Sequence, residues 1–122
     1  MIGYVTLGTN DFARAAKFYD ALLGTVGAKR AMDMETFIAW AAGPGQPMLS
    51  IIKPFDGKAA TAGNGVMVAL AVDSRAKVDA VYKKAMELGA KDEGPVGPRG
   101  EGFYAGYFRD LDGNKLNVFF MG

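Results

Sequence analysis

Short apolar or alternating runs with the look of strands are spread along this chain, and twice the pattern switches to a helical spacing. Residues 2–8, IGYVTLG, read as a strand. Asn10 and Asp11 offer a helix N-cap, and Phe12, Ala15, Ala16, Tyr19, Leu22 and Leu23 then fall on one helical face. Gly24 is placed to stop that helix. Two short strands are predicted at about 29–34 and 36–42. The Gly- and Pro-rich residues 43–47 must turn, and a fourth strand covers 48–53. Residues 54–65, with Pro54, Gly57, Gly63 and Gly65, read as a connector. The pattern then restarts. A β-branched strand at 66–72 leads to Asp73 and Ser74, which can cap a helix whose face is Val78, Val81, Tyr82, Ala85 and Leu88, stopped by Gly89. Residues 94–102, GPVGPRGEG, hold too many Gly and Pro for regular structure. Finally 103–109 and 115–120 alternate on either side of Asp112-Gly113, a tight-turn pair, and form a hairpin.

A shift of 62 residues lays Asp11 on Asp73 and Ala28-Lys29 on Ala90-Lys91. The chain therefore reads as an α+β fold of tandem βαβββ modules. One domain spans 1–122, with module one at about 1–53, the connector at 54–65 and module two at about 66–122. One such module makes a four-stranded sheet with a helix on one face and nothing on the other. Two sheets side by side are expected to form a curved half-barrel with a hollow for a ligand. A ferredoxin-like domain would explain neither the strand count nor the repeat.

Composition narrows the function. Fourteen basic and thirteen acidic residues give a net charge of +1 with no run of like charge, which removes the footprint of a nucleic-acid binder. The chain has neither Cys nor His, so disulfides, thiol nucleophiles and Ser-His or Cys-His systems are excluded. No signal peptide and no apolar run of membrane-spanning length is visible, and a cytoplasmic location is the expectation. Gly63-Asn64-Gly65 lacks the Lys-Ser/Thr of a phosphate loop.

Gly3-Tyr4-Val5-Thr6-Leu7, followed by Asp11, Ala15, Phe18-Tyr19 and Leu22-Leu23-Gly24, resembles the opening strand and helix of the vicinal oxygen chelate superfamily. That superfamily holds glyoxalases, bleomycin-resistance proteins and extradiol dioxygenases. Residues 110–116, DLDGNKL, resemble its closing signature, with Leu111 where Pro is usual. The resemblance covers essentially the whole chain and implies a homodimer.

It also implies a divalent metal held by side chains on the first strand of each module and on later strands. The positions carried over are Tyr4, seven residues before Asp11; Met67, six before Asp73; Asn117 after the D-x-D-G turn; and Leu49 or Ser50 on the fourth strand. None is His, Asp or Glu, and zinc, nickel and iron require imidazole, thiolate or carboxylate. Glu35 is the only acidic residue near a strand interior. The expectation is therefore no metal and no cofactor.

Two readings of these positions stay open. Tyr4, Met67 and Asn117 either fill the hollow, or supply hydrogen bonds and an apolar wall to an aromatic or planar guest. Ser50, Trp40, Tyr104 and Tyr107 join them as candidate ligand contacts. Trp40 and the aromatics of 103–108 can equally be core. Arg99 is expected either in a plain connector or on a mobile flap, reaching an anionic group; related sequences carry a similar loop. The expected function is binding of a small organic molecule, with no nucleic-acid or membrane partner. The alternatives are a divergent lyase or isomerase using Tyr4 or a relocated carboxylate as acid/base, and a non-catalytic scaffold dimer.

Overall fold

A computed structural model describes residues 1–122, which divide into two compact units, Met1–Thr61 and Ala62–Gly122. The first unit contains β1 (Tyr4–Gly8), α1 (Phe12–Gly24), β2 (Lys29–Met34), β3 (Phe37–Ala41) and β4 (Met48–Ile52). Its sheet runs in the order β1-β4-β3-β2. The second contains β5 (Val68–Ala71), α2 (Arg75–Glu87), β6 (Lys91–Pro98), β7 (Phe103–Arg109) and β8 (Lys115–Met121), in the order β5-β8-β7-β6. In each unit the helix carries the chain to the far edge of the sheet. Antiparallel hairpins then bring it back, so the last strand lies parallel beside the first. No helix is long and apolar enough to cross a membrane.

Each sheet buries one face against its own helix. In the first unit Leu7, Ile38, Trp40, Leu49 and Ile51 meet Ala15, Phe18, Tyr19, Leu22 and Leu23 of α1, all of them buried. Each large apolar side chain so buried contributes about 1.5–3 kcal/mol. In the second unit Phe108, Leu116 and Val118 meet Val78, Val81 and Ala85 of α2. Asp11 caps α1 by accepting from Arg14 N at 3.1 Å, and Ser74 caps α2 by accepting from Lys77 N at 3.1 Å. The equivalent cap is thus Ser74 rather than Asp73. Met67 and Tyr4 then stand at the same distance, seven residues, before their caps.

Four sequence expectations shift. Residues 94–98 are not irregular but form the second half of β6, which accommodates its Gly and Pro through register shifts between Asp92, Gly94 and Gly97. Gly24 lies inside α1, and Gly27 (φ 77°) takes the left-handed conformation beyond it. Strand β5 begins at Val68, because Val66 N bonds Gly63 O in a turn, leaving Met67 just before it. Much of the connector belongs to the first unit. Asn10 accepts from Ala60 N at 2.7 Å and donates to Ala60 O at 3.1 Å.

Candidate functional site

The face of each sheet away from its helix is where the candidate residues fall, and register decides which of them reach it. In the first unit Tyr4 pairs with Met48, Thr6 with Ser50, and Ser50 with Ala39; these share the face opposite the helix. Tyr4 is 57% exposed and meets Phe37 edge to face, ring centroids 5.9 Å apart. Ser50 lies on β4 between the rows of those two rings, is fully buried, and its Oγ has no hydrogen-bond partner. Of the two fourth-strand candidates, Ser50 takes the face away from the helix and Leu49 the helix side.

Trp40 does not reach that face. It lies on the helix side, 2% exposed, with its ring 5.8 Å from Tyr19 and its Nε1 donating to Asp20 at 2.9 Å. Arg30 donates to both oxygens of the same carboxylate, at 2.9 and 2.7 Å. That bonding holds Asp20 below the usual carboxylate range and Arg30 above its own. Trp40 is core, with its one donor satisfied.

In the second unit Asn117 lies between Ala69 and Tyr107 on the face away from α2. It is 2% exposed, and its Oδ1 has no partner. Phe103 and Phe119 stack on the same face at 5.4 Å. Met67, two residues before Ala69, is exposed. Tyr104 points the other way: its hydroxyl donates to Asp79 Oδ1 on α2 at 2.7 Å, and Arg75 lies 5.0 Å over its ring. Tyr104 therefore belongs to the helix side rather than to a ligand face, and its bond to Asp79 raises its pKa. Arg99 sits just beyond β6 and folds back, its guanidinium 5.6 Å from the centre of the Tyr107 ring. Lys115 was not singled out by sequence reasoning, yet its Nζ is 5.7 Å from the same ring. Strict alternation from Asn117 back to Lys115 was the available signal.

Ser50 and Asn117 are equivalent in the two modules. Ser50 is two residues before Ile52, whose carbonyl accepts from Thr9 N, and Asn117 is two before Phe119, whose carbonyl accepts from Val72 N. The chain thus places one unsatisfied buried oxygen at the same point of each repeat.

The first 118 residues match the family model of the Glyoxalase/Bleomycin resistance protein/Dioxygenase superfamily. The chain belongs to this superfamily. A glyoxalase/bleomycin resistance protein of Albidiferax ferrireducens is 34% identical, with 98% of this chain and 97% of that one aligned at a TM-score of 0.90. A hypothetical protein of S. aureus (24% identity, 98% and 92% covered, TM-score 0.74) and a lactoylglutathione lyase of Agrobacterium tumefaciens (22%, 98% and 92%, 0.72) share the fold. Among curated proteins, none matches the sequence.

The sequence resemblance carries the superfamily's metal positions onto four residues of this chain. Tyr4, Ser50, Met67 and Asn117 offer a phenol, a hydroxyl, a thioether and an amide, none of them anionic at neutral pH or an imidazole. No group of three or more carboxylates comes together anywhere in the chain to hold an ion instead. Such a donor set does not balance a dipositive ion taken out of water, and the residues do not fit one. Glu35, the remaining carboxylate of interest, lies in the exposed β2–β3 turn.

Proposed function

We propose that this superfamily member binds a small planar or aromatic organic molecule on the faces of its sheets turned away from the helices, without a metal. The pair of buried oxygens, Ser50 Oγ and Asn117 Oδ1, carries the reading. A buried polar atom without a partner costs about 1–3 kcal/mol, and a ligand carrying hydrogen-bond donors offsets that cost. The side chains around them are the flat and flexible ones that suit such a guest: Tyr4, Phe37 and Met48 in one unit, Tyr107 and Phe119 in the other.

Two measurements test it. Protein purified without chelators is expected to contain no stoichiometric zinc, nickel or iron by mass spectrometry, and finding one would overturn the metal-free reading. Phenolic and enediol compounds are expected to raise Tm. Ser50→Ala and Asn117→Leu should each reduce that rise by the share its own sheet contributes while leaving the unliganded protein as stable or more stable. A full ligand-induced rise in both variants would remove the two oxygens from the site.

A further inference from the structure

The face of the second sheet away from α2 carries a feature that the metal-free reading does not require: two cations near one aromatic ring, on the strand pair that holds the unpartnered Asn117 Oδ1. Arg99 Nη2 donates to Pro95 O and Nη1 to Pro98 O at 3.4 Å, and the plane is held against Tyr107. The glycines of β6 make room for this. A Cβ at Gly94 would lie 3.4 Å from Nη2, and one at Gly97 would lie 3.2 Å from Nη1. The guanidinium is thus pre-placed by backbone carbonyls and a ring, with no carboxylate bonded to it. Of its five N–H donors, two are used there. Lys115 approaches the same ring and likewise forms no ion pair. Glu93, which feels a longer-range attraction from Lys115, is itself committed to Arg109 at 2.6 Å. Tyr107 and Asn117 are direct cross-strand partners, so the cation pair and the unpartnered Oδ1 lie within one small ligand's span.

We propose that Arg99, Lys115 and Tyr107 form an anion-recognising subsite. It takes the carboxylate of a small aromatic acid whose hydroxyl or amino group donates to Asn117 Oδ1. This rests on the ligand-binding reading above and deepens it by naming the ligand's two polar ends. A guanidinium held open by carbonyls loses little freedom on engaging a carboxylate, and charge-assisted bonds are the stronger kind. Tyr107, with the two cations drawn to its ring, fixes where they stand relative to Asn117 on the neighbouring strand.

Calorimetry with para-hydroxybenzoate, benzoate and phenol tests the two ends separately. The hydroxy acid is expected to bind best. Removing its carboxylate (phenol) or its hydroxyl (benzoate) should each weaken binding about tenfold, the equivalent of about 1.4 kcal/mol. Arg99→Met and Lys115→Gln should each weaken both acids by about tenfold and leave phenol unchanged. Because Arg99 also braces β6, Lys115→Gln, which touches no backbone carbonyl, guards against a folding artefact. Equal binding of phenol and the acids, unaltered by either variant, would overturn the anion subsite and leave the metal-free site standing. Failure of all three probes to bind would overturn the anion subsite, and the thermal-shift test with enediols then decides the metal-free reading separately.

Discussion

Gly106 has a neighbour on two sides where a side chain would go. A Cβ there would stand 2.8 Å from Cδ1 of Tyr82 and 2.8 Å from Cγ1 of Val96. Gly106→Ala is therefore expected to cost about 1–3 kcal/mol by overpacking, read as a lowered denaturant midpoint. An unchanged midpoint would mean that the Tyr82 ring swings aside freely. The ring is held at its other end, where its hydroxyl donates to Asp92 Oδ1 at 2.7 Å. Burial, and then that bond, pushes the Tyr82 phenol up from 10.0 to about 12. Because the folded value is the higher one, the stabilisation is complete below pH 10 and is lost as the pH rises towards about 12. Alkaline unfolding of Tyr82→Phe should lack the part of the decline that the wild type shows in that window. Superimposable profiles would show that the phenol's ionisation is not linked to folding.

Two glycines that look alike in sequence do opposite things at the ends of their helices. Gly89 follows α2 with φ 95°, and its N–H bonds Met86 O while Ala90 N bonds Ala85 O, the double closure of a left-handed helix end. Gly24 is the last residue of α1, right-handed and with nothing near its absent side chain. Gly89→Ala should destabilise by about 1–2 kcal/mol, and Gly24→Ala should stabilise by about 0.5–1 kcal/mol. Thermal melts of the pair give the signs directly, and shifts in the same direction would refute this assignment of the two helix ends. At the same scale β6 shows why a Gly- and Pro-rich run is not automatically a loop. As the outermost strand of its sheet it needs few backbone donors, so Pro95 and Pro98 fit, and the shifts in register use the glycines.

At the scale of the whole molecule, two units repeat one plan closely enough that Tyr4 matches Met67 and Ser50 matches Asn117. The pairs differ in chemistry because nothing in the fold itself requires them. That freedom is how one scaffold serves unrelated activities, and superfamily membership alone does not name a reaction. Here the absence of imidazole and thiolate anywhere in the chain sets the expectation that added zinc or nickel leaves Tm unchanged. A saturable, stoichiometric rise in Tm with either ion would contradict it.

Period and punctuation in the sequence determined much of the fold. Spacings of two and of about four, stopped by Gly and capped by Asp11 and Ser74, are local properties, and they placed both helices and most strands within a residue or two. Inventory alone also settled that no His or Cys chemistry is available. Which face each side chain takes was decided only by the tertiary structure, because register depends on partners far away in the chain. Trp40 and Tyr104 turned to the helices because Asp20 and Asp79 wait there for their donors. Ser50 rather than Leu49 took the face away from the helix because its partners Thr6 and Ala39 lie on that side. Lys115 joined Arg99 on Tyr107 because one hairpin and one bulged edge strand bring residues sixteen positions apart onto a single ring.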